Sequence, residues 1–176
     1  MKRRLVTRTA LGTAALLALG ACIVNLSFEM KKSLGLQSQA GGAVSQNVLV
    51  DLSQYKEITD HQNQIKSLDL DYAEVSVSKI NPGNAAGKVS GTLKLRKSLT
   101  TPAVNDIKVG DLGDLTVQVG TTKRLNGTPE LDAFLLQQLH EQGTFYAIVD
   151  GAVDGAANLV LDVTLHASLG YDTGLF

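Results

Sequence analysis

The chain has 176 residues, 44% of them hydrophobic, and a formal net charge of −1, enough to bury roughly two thirds of its unfolded surface in one domain. It holds one cysteine, no tryptophan and 5% aromatic residues. That excludes an intramolecular disulfide and argues against an aromatic platform for sugars or single-stranded nucleic acid.

In chain order, Lys2, Arg3, Arg4 and Arg8 form a positively charged start, and Ala10 to Ala21 is an uncharged, mostly apolar stretch that closes on Leu19-Gly20-Ala21 before Cys22. This is the layout of a secretory signal peptide. The run falls well short of the ~20 apolar residues of a transmembrane helix. An aliphatic residue, two small residues and then cysteine resembles the lipobox of bacterial lipoproteins. The resemblance covers residues 1 to 22. It implies cleavage between Ala21 and Cys22, loss of residues 1–21, and acylation of the Cys22 thiol and new amino group, palmitate included. An ordinary secreted protein is the competing reading, but it would leave Cys22 as a lone thiol in an oxidising compartment, a liability. The resemblance also implies that an Asp after the lipidated cysteine would retain an enterobacterial protein at the inner membrane. Ile23 stands there, so the expected site is the outer membrane, on its periplasmic or surface face, with the inner membrane as the alternative.

Cleavage would remove four basic residues and no acidic one, so the 16 Lys+Arg fall to 12 against 17 Asp+Glu and the net charge moves to −5. An acidic domain is repelled by nucleic acid and by anionic lipid headgroups. Expected partners are the membrane, through lipidated Cys22, and an envelope protein.

Residues 22–176 show no charge block, proline-rich linker or repeat, and read as a single β-rich domain. Val24, Leu26, Phe28 and Met30 alternate with polar residues, a period-2 strand beginning almost at the lipid. Gly35 to Gly42 reads as a loop, and Val44, Val48, Val50 and Leu52 as a second strand. Ser53 to Gln64 carries a short helix or turn. Leu68, Leu70 and Tyr72 then define one buried face, after which the apolar phase slips by one to Ala73, Val75 and Val77, as a β-bulge produces. Asn81-Pro82-Gly83-Asn84 is a turn. Val89, Gly91, Leu93 and Leu95 alternate with a basic face. Ile107–Val109 and Leu115–Val119 read as two short strands joined by residues 110–113.

One segment is clearly helical. Thr128 fits the cap, Pro129 the first helical position, Glu130 and Asp132 the N-terminal dipole, and Gly143 the stop. Leu131, Phe134, Leu135 and Leu139 form its apolar stripe. Phe145–Val149 follows as a strand, with Asp150-Gly151 and Asp154-Gly155 as turn residues, and Leu159, Leu161, Val163 and Leu165 alternate in a closing strand. The expected fold is mostly β: an antiparallel β-sandwich with one packed α-helix. The alternative is an α+β open sheet with the helix across one face.

The chemistry-bearing residues are sparse. His61, His140 and His166 are dispersed, without metal-ligand spacing, so no metal and no cofactor is expected. Asp69 and Asp71 alternate on a strand and could act as paired carboxylates on a glycosidic bond or calcium, though strand alternation explains them as a solvated face. Asp150 to Gly155 resembles a calcium loop superficially but lacks its alternating oxygens and terminal Glu. Tyr72, Tyr146 and Tyr171 are candidates for a shallow site. There is no Gly-x-Ser-x-Gly elbow and no phosphate-binding glycine loop. No catalytic residue is expected. The reading is a lipid-anchored envelope lipoprotein acting as a non-enzymatic binding, scaffolding or assembly module. Its alternatives are an envelope hydrolase using paired carboxylates and a carrier of a lipid or apolar ligand.

Overall fold

A computed structural model describes residues 23–174; Ala21, Cys22 and the signal segment lie outside the described residues. Eight antiparallel strands form two four-stranded sheets. They are β1 (Ile23–Ser38), β2 (Gly42–Asp51), β3 (Ile65–Ile80), β4 (Lys88–Arg96), β5 (Ile107–Thr116), β6 (Thr122–Asn126), β7 (Thr144–Val153) and β8 (Ala157–Asp172). Sheet A has the order β1-β8-β3-β6 and sheet B the order β2-β7-β4-β5. Only β4 and β5 are consecutive in the same sheet, and every other connection crosses between sheets. This eight-stranded double-sheet winding is a jelly-roll β-sandwich.

Alternation drives the sandwich together. Phe28, Met30, Leu34 and Leu36 of β1 face Val50, Leu93, Leu95 and Val149 of the other sheet inside one core. The glycine-rich stretch expected as a loop over Gly35–Gly42 is different: β1 runs on to Ser38, because Leu34 and Leu36 continue the buried alternation, and only 39–41 turns. Ile107–Val109 and Leu115–Val119 are likewise not two strands. A single β5 spans Ile107–Thr116; Gly110 and Gly113 stay paired in its ladder with β4, and two register shifts leave Val109 and Leu112 as the extra residues. Asp150-Gly151 is not a turn either but lies within β7, where a Cβ on Gly151 would sit 1.8 Å from the Ser90 carbonyl oxygen of β4. The glycine there serves close strand approach.

Sheet A is the longer layer. Its extension at the start of β1 is backed by two helical pieces rather than by sheet B. One is the 13-residue α2 (Pro129–Glu141), whose Leu131, Phe134, Leu135 and Leu139 are buried and whose Phe134 meets Phe145 edge-on at 5.8 Å. Thr128 occupies the cap position, but its side chain makes no capping bond; its carbonyl accepts from Leu131 and Asp132 N–H instead. The other piece, a 3-10 turn (Leu52–Gln54) followed by α1 (Lys56–Thr59), closes the side between the β1 and β2 edges. There Leu52 and Ile58 are buried, Tyr55 packs against Phe28, and Lys32 Nζ donates to Gln54 Oε1 at 3.0 Å.

Candidate functional site

The outer face of sheet A carries the densest polar arrangement. It is set by the bulge in β3: Leu70 pairs with Ala167, but the next partner, His166, is met by Tyr72, so Asp71 is an extra residue. The phase slip is therefore a bulge, and it reverses one expectation. Tyr72 does not continue the buried face of Leu68 and Leu70. It is turned outward, where its ring stacks on His166 at 4.0 Å and 19°, and the Arg124 guanidinium of β6 lies 3.5 Å from the same ring. His166 Nδ1 lies 3.1 Å from Glu29 Oε1 of β1. Glu29, His166, Tyr72 and Arg124 thus form a row across all four strands, joined in turn by a polar contact, a ring stack and a cation over a ring.

Beside this row is a concavity of about 290 Å³ lined by Ser27, Glu29, Asp71, Tyr72, His166 and Ala167. Two carboxylates, an imidazole and a phenol therefore converge over the small residues of β8. The Ser168 hydroxyl donates to Asp71 Oδ2 at 2.7 Å, and the His166 ring face lies on Tyr72, so both groups are held by structural partners. Chemically the arrangement can accept hydrogen bonds from a cationic or hydroxylated group.

Asp69 and Asp71 have a third carboxylate nearby, and it reached the site from α2. Strand β6 ends at Asn126, opposite Tyr72. Beyond it the Leu70 N–H has no strand partner, and Asp132 Oδ1 accepts it at 2.7 Å. Burial pushes the Asp132 carboxyl above the ordinary carboxylate range; the Leu70 N–H pulls it back, while the charges of Asp69, Asp71 and Glu130 push it further up. Its oxygen is spent on capping a backbone group.

The same outer face holds a second polar knot. Asp162, only 6% exposed, accepts from Ser33 Oγ at 2.7 Å and Ser78 Oγ at 3.0 Å and pairs with Lys31 Nζ at 2.8 Å. Burial pushes its carboxyl up, but the hydrogen bonds from Lys31, Ser33 and Ser78 outweigh it and hold the group below the usual range.

The remaining candidates are scattered. His61 stacks on Tyr171 at 3.7 Å at the rim of the core, and His140 is exposed on α2. Tyr146 lies on sheet B opposite Leu49 and Arg96, so the three tyrosines occupy three different places. Asp150 accepts from Lys94 Nζ at 2.9 Å and from Ser45 within β7, whereas Asp154 lies just past the end of that strand and accepts the Gly87 and Lys88 N–H groups; they do not share a loop. Among the described residues, no group of three or more His, Cys, Asp or Glu is placed to hold a metal ion. A larger open cleft of about 510 Å³, between the 39–41, 81–87 and 154–156 turns, is lined by uncharged residues such as Gln37, Gln39, Pro82 and Asn158.

No family model matches the chain, and no curated protein does. Among solved structures, the chain is similar to the decameric BFDV capsid protein (12% identity, TM-score 0.45), over 84% of this chain and 99% of that one. It is also similar to a desmodium yellow mottle tymovirus structure (10%, TM-score 0.39, 98% and 96%) and a turnip yellow mosaic virus structure (12%, TM-score 0.34, 97% and 91%).

Glu29, Arg124 and Asp132 were not reachable from the sequence as site residues. The one available signal was the phase slip beside Tyr72, which marks an irregularity between Leu70 and Ala73 without fixing on which side of that ring it falls.

Proposed function

We propose that the chain is a lipid-anchored bacterial envelope protein, attached to the outer membrane through Cys22, whose sandwich is a non-enzymatic binding, scaffolding or assembly module. The observation that carries this reading is the run Leu19-Gly20-Ala21-Cys22 behind a basic start. Strand β1 begins at Ile23, the residue after the cysteine, so the acylated protein has no tether and the sandwich stands directly on the bilayer. The Glu29–His166–Tyr72–Arg124 row and its concavity then supply the surface for a partner presenting cationic or hydroxyl groups.

Replacing Cys22→Ser should abolish metabolic labelling with a fatty acid and release a soluble or unprocessed form. Labelled lipid persisting in that variant would sink the reading.

A hydrolase is the second reading, and the raised Asp132 carboxyl beside Asp69 and Asp71 is what favours it. The Leu70 N–H that Asp132 accepts gives that carboxylate a structural task, which weighs toward binding. Asp69→Asn/Asp71→Asn should leave any envelope phenotype of the deletion intact, while mislocalised Cys22→Ser should fail to complement it. An apolar-ligand carrier would need a cavity lined by Val and Leu, and neither concavity described above has such walls.

A further inference from the structure

We propose that the β4–β5 loop, residues 97–106, is a second membrane contact that inserts its tip into the lipid interface beside the acylated N-terminus. This rests on the anchor reading above. The position of the loop follows from the topology. Strands β1 and β2 are joined by the 39–41 turn, so Ser38 and Gly42 mark one end of the sandwich, and Ile23 and Asp51 point to the other. Asp51 pairs with Thr144, Tyr146 with Arg96, and Leu95 with Ile107. The loop that follows Arg96 therefore emerges at the end where β1 starts, the end that carries the lipid.

Its surface fits an interface. Val104 is 88% exposed and Leu99 50%, and Ile23, 59% exposed, lies at the same end. From Ser98 to Asn105 there is no charged residue. The flanking charges are neutralised: Arg96 holds Asp106 through two bonds of 2.5 and 2.7 Å, and Lys97 pairs with Glu141. Three backbone N–H groups and three hydroxyls of the loop find partners within it. Thr101, Asn105 and Asp106 N–H donate to the carbonyls of Ser98, Pro102 and Ala103 at 3.0–3.1 Å, and the Ser98 hydroxyl bonds Thr100 and Thr101. Internal satisfaction lowers the cost of moving backbone and hydroxyls out of water. Exposed apolar tips flanked by paired charges are what an interfacial segment needs, and at the anchored end such a tip adds apolar contact to the hold of the acyl chains.

The chain has no tryptophan, so one introduced ring reports alone. The test uses the full-length acylated protein, reconstituted into phosphatidylcholine–phosphatidylglycerol vesicles, with Val104→Trp compared with Val119→Trp. Val119 is similarly bare at 58% exposure but lies in the turn between β5 and β6 at the opposite end. Both variants should float with the vesicles. Emission from position 104 should shift to the blue and be quenched by brominated acyl chains, while that from position 119 should stay water-like. Flotation with water-like emission at 104 would overturn the loop contact and leave the anchor standing. A blue shift at 104 that grows with protein concentration in the absence of lipid would assign the loop to a second copy and overturn the proposal. Flotation of Cys22→Ser, with the 104 shift retained, would overturn the anchor and support the loop.

Discussion

Tyr72 and His166 face each other across β3 and β8 because Asp71, between Leu70 and Tyr72, bulges out of the ladder and takes no partner in β8. Were Asp71 paired in a regular ladder, strict alternation would place Tyr72 in the inward series of Leu68 and Leu70, and Arg124 would have no ring to cover. One inserted residue thus converts a core tyrosine into the centre of a surface row. Contact of this kind is expected to be worth about 0.5–1.5 kcal/mol beyond buried area. A double-mutant cycle over Tyr72→Ala and His166→Ala, read by urea unfolding, should return a coupling of that size. A coupling of zero would reduce the stack to a geometric coincidence.

The bulge shows where sequence was legible and where it stopped. Local alternation carries the strand faces, so Val24 to Met30, Leu159 to Leu165 and, Tyr72 apart, Leu68 to Val77 are legible, as is the helix stripe Leu131 to Leu139. Strand β6 is not, because Leu125 is its single buried residue and one apolar residue has no period. Arg124 was lost with it. Glycine-rich composition marks Gly35 as a loop residue, but the flanking Leu34 and Leu36 continue the buried alternation and keep it in β1. The pairing of β1, β8, β3 and β6 is long-range, and no local pattern states which strands meet. The site is made of that pairing, so its members were visible singly and not as a set.

Gly127 fixes the junction between β6 and α2. Its N–H donates to the Asp71 carbonyl at 3.2 Å, and a Cβ there would stand 1.5 Å from the Leu70 carbonyl oxygen. Relief would require moving either the bulge or the helix start. Gly127→Ala should destabilise by about 3 kcal/mol or more. Gly87→Ala, whose added carbon would meet only Asp154 Oδ2 at 3.4 Å, should be close to neutral. Similar thermal midpoints for the two variants would mean that the junction has slack.

The helix should be held by its buried stripe. Leu135 is fully buried, whereas Gln137 is exposed and bonded only to Glu141 at 2.8 Å. Leu135→Ala should cost about 2–5 kcal/mol, and Gln137→Ala less than about 0.5 kcal/mol. Chemical denaturation of a form starting at Ile23 separates these values, and equal costs would remove α2 from the core.

Asp162 and Asp132 should give opposite pH dependences. Asp162 is held below its ordinary value of 3.8 by Lys31, Ser33 and Ser78 against the pull of burial. The unfolded chain therefore takes up its proton first as pH falls. Its stabilisation is present in full above about pH 4 and is lost as pH drops through the lower folded value. Asp162→Asn should cost about 1–3 kcal/mol near neutral pH, leaving Lys31 without its anion, and the cost should shrink in acid. Asp132 runs the other way. Burial raises its carboxyl, so the folded protein takes up that proton first, and stability rises as pH falls through the raised value. Asp132→Asn keeps an oxygen for the Leu70 N–H and removes the buried charge, so it should match or exceed the parent at neutral pH. Asp132→Ala orphans that N–H and should cost about 1–3 kcal/mol. Urea midpoints of the parent and three variants, measured from acid to neutral pH, check both signs. Parallel curves for Asp162→Asn and Asp132→Asn would contradict the assigned roles.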